Sequence, residues 1–393
     1  MVKSEPYVGV AFCGNTTAEA IALIDRTKNY TNLFVLDTGR NELSSNESAV
    51  YEICDYATSS GLNLIVNLGI NGPYEANVTT WFWNANLTDM KANWTQRWGD
   101  KFLGIYYNDE IGGVQLDGAW AGFFYAAGDR LANSRIPAIR ALEEIQTKLE
   151  FYRDTNTVPD NYDMEADFFV NLVVNYYPGL AELNKNNVTS FMSDYGLYWW
   201  DYLGGYDVML AELGWNASVA QQIAQVKGAA RLQDKDWGAM ITWKYNDVPF
   251  LDSAKSIYDQ MLASYQAGAK YIMIFNLAIE KNGTNTAEAM VDEHYMALYQ
   301  FWQDIHSKEY LDNSGAEAAL VLPHNYGWGM RNPNDTIWGF WHTDDKTDQI
   351  ATTMYKLLMK YDTKLDIVYE DPAFPVAAAH YKHIYYWNQT IPD

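Results

Sequence analysis

Cysteine is scarce: Cys13 and Cys54 are the only two in 393 residues. A disulfide framework is therefore excluded as the basis of the fold, and the pair says little about redox compartment. A bridge from the first loop to the second helix is one reading. A mid-helix cysteine is more often a small buried apolar group. Paired Cys-x-x-Cys, His-Glu-x-x-His and calcium-loop spacings are absent, so no dedicated metal site is expected. The chain has no Gly-x-Ser-x-Gly elbow, no phosphate-binding glycine loop and no Gly-x-Gly-x-x-Gly fingerprint after a strand. No nucleotide, nicotinamide or flavin cofactor is expected. No run of about 18 apolar residues occurs, which excludes a bilayer-spanning helix. The first residues, Met1–Tyr7, hold no apolar signal core, so a signal, if the protein is exported, lies outside this sequence. Basic residues are few: 27 Lys and Arg stand against 50 Asp and Glu, for a formal net charge of −23. Nucleic acid and anionic membranes are poor partners for such a chain. An uncharged or cationic ligand fits better, although most of the charge serves solubility.

What is present is apolar and aromatic. Hydrophobic residues make up 48% and aromatics 15%, with 15 Trp and 30 Tyr, so the chain is globular and can bury a large core. The rings exceed what a core needs, and some are expected on surfaces that stack. Asn-x-Ser/Thr acceptor patterns occur at Asn15, Asn29, Asn46, Asn77, Asn86, Asn93, Asn187, Asn216, Asn282, Asn334 and Asn388. Chance would give roughly three, so the excess points to a glycosylated, secreted or cell-surface protein. The plainer alternative is that these residues serve as turns and helix caps.

Strand and helix patterns alternate from the start, which argues for a parallel sheet. The strands expected are Tyr7–Phe12, Leu33–Leu36, Leu62–Leu68, Phe102–Tyr107, Val188–Ser193, Tyr206–Ala211, Trp237–Trp243 and Tyr271–Phe275. Thr16 to Glu19 has capping-box spacing before the first helix. A long aromatic insert, Gly112–Arg135, and a helix at Ile136–Arg153 follow the fourth strand. Glu165–Leu183 reads as a helix by its length and its start after Asp163. Eight such units over about 300 residues match a (β/α)8 TIM barrel. The expected division is a barrel over 1–312 and a small α/β accessory domain over 313–393. In the latter, the loop His324–Arg331 is rich in aromatics and could reach back over the barrel mouth or contact another chain.

Barrel enzymes place their chemistry at the C-terminal tips of the strands. The segment Lys101–Gly113 ends its strand in Asn108, Asp109 and Glu110, and Gly112-Gly113 is expected to break the chain there. Other residues expected at or near the tips are Asp37, Asn67, Tyr107, Asp194, Tyr198, Glu212, Trp215, Trp243, Lys244 and Asn276. Two carboxylates across a cleft are the minimum equipment for glycoside hydrolysis, one to protonate the leaving oxygen and one to attack or activate water. Burial beside rings supplies the difference in proton affinity that this needs. Tyr and Trp near the mouth would stack on the apolar faces of sugars. Alternatives are that Asp109 and Glu110 cap a helix, that most rings are core, and that Lys244 is a Schiff-base lysine of a lyase or aldolase.

At Gly104–Glu110 and Tyr206–Trp215 the chain resembles barrel-fold glycoside hydrolases. It departs from the large clan with carboxylates on strands four and seven. An extra residue separates Asn108 from Glu110, and Trp243-Lys244-Tyr245 holds no glutamate. Asp109 or Glu110 with Glu212 is similar to the strand-four and strand-six arrangement of endo-galactosaminidase-type barrels. That resemblance implies Glu110 as proton donor with Asp109 assisting or replacing it, and Glu212 as nucleophile or base. Asp194 and Lys244 would position them. The implied substrate is a poly- or oligosaccharide, without a cofactor. The rival reading is a non-catalytic carbohydrate-binding protein on the same frame.

Overall fold

Eight short apolar runs pair edge to edge and close on themselves. In the computed structural model, which describes residues 5–38, 43, 46–67, 87–118, 161–176, 178–214, 218–279, 285–286, 288–310 and 314–391, the strands form a closed parallel barrel in sequence order. They are β1 (Tyr7–Phe12), β2 (Leu33–Asp37), β3 (Asn63–Asn67), β4 (Phe102–Asp109), β5 (Ser190–Asp194), β6 (Val208–Leu213), β7 (Asp236–Ile241) and β8 (Tyr271–Phe275). β8 returns to β1 with Tyr7 opposite Tyr271. The expected (β/α)8 barrel is the fold observed. The helices packed around it begin with α1 (Thr17–Thr27), α2 (Glu47–Ser59) and α3 (Leu87–Trp98). After β4 come α4 (Ile111–Leu116), α5 (Tyr162–Tyr176) and α6 (Pro178–Lys185). α7 (Tyr198–Leu203), α8 (Val219–Leu232), α9 (Ala254–Gln266) and α10 (Asp292–Ser307) complete the ring. Thr16 and Glu19 form the expected capping box at α1, and the Glu165–Leu183 region is helical, as α5 and α6.

Side chains alternate across each strand, and the period of two sorts them into two cores. Ala11, Val35, Ile65, Tyr106, Phe191, Leu210, Met240 and Met273 fill the barrel interior. Their neighbours, such as Val10, Leu36, Val66, Tyr107, Met192, Met209 and Ala211, pack outward against the helices. β4 is irregular twice, where its register with β3 shifts between Phe102 and Gly104 and where its register with β5 shifts between Tyr106 and Asn108. Such a bulge re-aims the residues that follow it.

Several strand ends differ from the sequence reading. β2 runs through Asp37, β4 through Asp109, β5 through Asp194 and β6 through Glu212 to Leu213, and β7 stops at Ile241, leaving Trp243 in the loop beyond. Gly112 and Gly113 do not break the chain. They lie in the first turn of α4. Trp81, Trp83, Trp215, the helix expected at Ile136–Arg153 and most of the insert Gly112–Arg135 lie outside the described residues.

After a two-stranded hairpin, β9 (Ala278–Ile279) with β10 (Asn285–Thr286), and α10, the chain builds a parallel sheet of β11 (Ala318–Leu322), β12 (Leu365–Tyr369) and β13 (His383–Tyr386). The expected boundary at 312/313 falls among residues that are not described. α11 (Thr347–Tyr361) connects β11 to β12. The sheet packs on α8 so closely that a Cβ at Gly228 would sit 2.5 Å from the Ile367 carbonyl oxygen, a contact only glycine permits. Beside it, Lys227 and Asp366 form an ion pair that is 2% and 0% exposed, joined by Arg231. Trp200 stacks against Trp338 and Tyr369 at 4.6 and 4.5 Å between ring centres. The aromatic segment Tyr198–Tyr202 therefore serves this seam.

Candidate active site

A cavity of about 430 Å³ opens at the C-terminal ends of the strands. Asp109, Glu110, Asp117 and Glu212 supply its carboxylates. Tyr195, Trp243 and Phe275 supply its rings, and Arg331 from the loop after β11 supplies a cation. The volume is ample for a sugar-sized ligand.

Each carboxylate arrives by a different route. Glu212 follows Val208 and Leu210 on the inward face of β6 and is 3% exposed. Asp109 ends β4, and the bulge turns it to the face that carries Tyr106. Glu110 holds a left-handed backbone, φ 54°, at the N-terminus of α4 without capping it through its side chain. That conformation costs a non-glycine residue about 1–3 kcal/mol and clusters at functional sites. The Glu110 amide donates to the Ser193 carbonyl at 2.9 Å, which pins the strained turn to β5.

The Ser193 hydroxyl ties two of these groups together. It lies 2.8 Å from Asp109 Oδ1 and 2.6 Å from Glu212 Oε1. The Tyr106 hydroxyl lies 2.7 Å from the same Asp109 oxygen and 2.7 Å from Ser193 Oγ. Two hydroxyl protons cannot fill four oxygen–oxygen contacts. The Ser193 hydroxyl is therefore shared between the two carboxyl groups and the Tyr106 hydroxyl. Tyr106 remains a neutral donor, because burial and then the charges of Asp109, Asp37 and Glu212 raise its pKa.

Several residues expected at the site do other work. Asp194 faces outward, and its carboxylate accepts the amides of Gly112, Gly113, Tyr195 and Gly196 at 2.6–3.2 Å. It holds the first turn of α4, directly after Glu110. Burial pushes its carboxyl up to about 8 against the pull of those amides. Tyr107 packs in the outer core. Tyr198 bonds the Asp194 carbonyl and Gln222. Asn276 accepts the amides of Ala289 and Met290, closing the loop before α10. Asp37 lies 3.8 Å from the Cys13 thiol, and Asn67 is buried at the tip of β3. None of these six lines the cavity. Strand-tip position alone selected them, and of these Tyr107 and Asp194 lie on the outward side of their strands.

Lys244 bonds Asp252 at 2.9 Å, and that partner raises its pKa. A Schiff-base lysine needs the opposite shift, and Lys244 is not among the residues that line the cavity, so the ion pair disfavours the lyase reading. No disulfide joins Cys13 to Cys54, so the possible bridge is not formed. Sequence reasoning missed Ser193, Tyr106, Asp117, Tyr195 and Arg331. The signal for Ser193 was present, since it follows inward-facing Phe191 by two residues.

Two solved structures share this architecture over nearly the whole chain. One is a GH5_18 protein from Streptomyces cattleya in complex with Manb1-4GlcNAc, with a TM-score of 0.55 and 11% identity, covering 98% of this chain and 99% of that one. The other is GH5_18 from Bifidobacterium longum subsp. longum, with a TM-score of 0.50 and 8% identity, covering 98% of each chain. The chain therefore has the fold of TIM-barrel glycoside hydrolases, its C-terminal unit included. No protein-family model and no curated protein matches it.

Proposed function

We propose that the protein is an exported glycoside hydrolase that cleaves O-glycosidic bonds in a poly- or oligosaccharide with the carboxyl groups of Glu110, Asp109 and Glu212. The observation that carries this reading is the bond of one Ser193 hydroxyl to both Asp109 and Glu212 in a cavity that Glu110 also lines. Glu110 is the proton donor to the leaving oxygen. Glu212 is the nucleophile or base. Asp109 accepts the Tyr106 hydroxyl and shares the Ser193 hydroxyl with Glu212, which places it to assist that residue. Trp243 and Tyr195 offer ring faces to a sugar. A likeness of fold to glycoside hydrolases fits this reading but does not by itself assign an activity.

Export rests on the acceptor asparagines. Asn15, Asn29, Asn46, Asn93, Asn187, Asn334 and Asn388, the seven that are described, are all exposed. Asn46 also caps α2 through its side chain, so capping and glycosylation are compatible there.

The test is incubation with a panel of neutral oligosaccharides and aryl glycosides, with products followed by chromatography. Turnover that falls at least 100-fold in both Glu110→Gln and Glu212→Gln supports the assignment, since a positioned acid or base contributes roughly 10²–10⁴-fold. Sugar binding without turnover would make the protein a non-catalytic carbohydrate-binding protein.

A further inference from the structure

The rim of the cavity is built from two parts of the chain that the sequence keeps far apart. Arg331 belongs to the loop between β11 and α11. Its Nη1 donates to Asp117 Oδ1 at 2.6 Å, and its Nε and Nη2 donate to Asp335 at 2.8 and 2.7 Å. Asp117 follows α4, and its other oxygen accepts the Tyr195 hydroxyl at 2.8 Å. The Arg331 guanidinium lies 5.5 Å from the centre of the Tyr195 ring. All three residues line the cavity that holds Asp109, Glu110 and Glu212.

The loop is not lying loosely over the mouth. Thr336 donates to the Leu116 carbonyl at 2.7 Å, Gln115 donates to the Trp338 carbonyl at 2.8 Å, and Gln221 donates to the Met330 carbonyl at 2.7 Å. Gly339, with φ at +74°, comes so close to α4 that a Cβ there would sit 1.9 Å from the Gln115 carbonyl oxygen. Asp335, which is 4% exposed, also accepts the Arg331 and Thr336 amides. The guanidinium is therefore fixed before any ligand arrives, and a fixed group loses little freedom on binding. Burial works against its charge, but Asp335 and Asp117 more than offset this and raise its pKa.

We propose that Arg331, Asp117 and Tyr195 form a subsite for one neutral sugar ring of the substrate, so that the C-terminal unit completes the binding cavity and helps to set specificity. This rests on the hydrolase reading for the identity of the ligand. A guanidinium has five N–H donors, and three are committed to carboxylates. The other two stand beside a carboxylate that has lone pairs left to accept. Donors next to acceptors match a pair of vicinal hydroxyls, each of which gives one hydrogen bond and takes one. The Tyr195 ring, packed against Gly113 and lying beside the guanidinium, forms the apolar wall of the subsite. An anionic sugar does not fit. The single positive charge is already flanked by Asp117 and Asp335, and Asp109, Glu110 and Glu212 share the cavity, so a uronate or sulfate meets net negative charge.

Arg331→Lys keeps the charge and removes the planar fork. Asp117→Asn keeps the shape and removes the charge, and it covers the case in which the arginine variant fails to fold. Steady-state kinetics on the neutral oligosaccharide cleaved fastest, and calorimetric titration of the same sugar into each variant on a Glu212→Gln background, supply the readouts. The expected result is a rise of at least tenfold in KM and in Kd, with kcat falling less than KM rises. Asp117→Asn should also narrow the preference for neutral over glucuronate-containing oligosaccharides. Variants that cleave with a KM within twofold of wild type would overturn the subsite and leave the hydrolase standing. If no glycoside is cleaved but neutral oligosaccharides bind and Asp117→Asn weakens them tenfold, the subsite stands and the hydrolase falls. If no sugar binds at all, both fall.

Discussion

Replacing Asp109 with Asn removes one of the two charges that Ser193 ties together. The two bonds at that hydroxyl, 2.8 and 2.6 Å, put the nearest carboxylate oxygens of Asp109 and Glu212 within reach of one bridging atom. The Asn variant keeps an acceptor oxygen for Tyr106 and Ser193 but carries no charge. A hydrogen bond to a charged group contributes about 1.5–3 kcal/mol, so kcat/KM should fall roughly 10- to 100-fold. The assay is kcat/KM on an aryl glycoside that the wild type cleaves, with Ser193→Ala and the double variant beside it. The double variant should lose less than the product of the two single losses, because one hydroxyl serves both carboxyl groups. Wild-type kcat/KM in both single variants would refute the coupling between the two carboxyl groups and with it the reason for the Ser193 bridge.

Asp201 is fully buried in α7, and neither carboxylate oxygen has a hydrogen-bond partner among the described residues. Burial, and then the charge of Asp194, raise its pKa. Its folded pKa lies above its unfolded value, so folding favours the protonated form and stability falls as pH climbs from about 4 through the folded pKa. Asp201→Asn should be nearly neutral at pH 4 and stabilising by about 1–3 kcal/mol at pH 8 in urea titrations; an equal effect at both pH values would contradict this. At the seam between barrel and C-terminal sheet, Asp366→Asn leaves the buried Lys227 without its carboxylate, with Arg231 alongside. Breaking a buried pair by removing one partner costs about 3–5 kcal/mol, which urea unfolding would detect as a lower midpoint. A loss below about 1 kcal/mol would mean that Lys227 finds its compensation in the Thr363 carbonyl alone.

The barrel was legible because its signal is local. Runs such as Tyr7–Phe12 and Tyr271–Phe275 state their strand character without reference to one another, and the alternation with helices fixes the class. Glu212 was legible for the same reason, since L-A-E-L places it on the inward face of a strand once the strand end is known. Asp194 shows where such reading fails. It ends its strand as Glu212 nearly ends its own, but it stands three residues after inward-facing Phe191, whereas Glu212 stands two after inward-facing Leu210, so only the second shares the inner face. Asp109 needed the bulge in β4, which comes from pairing with β5 and leaves no mark in β4 alone. Arg331 and Asp117 meet only because the loop after β11 docks on α4. The aromatic richness of His324–Arg331 hinted at such a return, yet no spacing rule joins residues that lie two hundred positions apart.

Whether the carboxyl groups gathered at this one cavity break a glycosidic bond is decided by single-turnover cleavage by Glu212→Gln beside the wild type, with each protein's melting transition checked first. The expected result is a folded variant that still binds its oligosaccharide and cleaves it at least 100-fold more slowly. A folded Glu212→Gln variant with wild-type cleavage would contradict it.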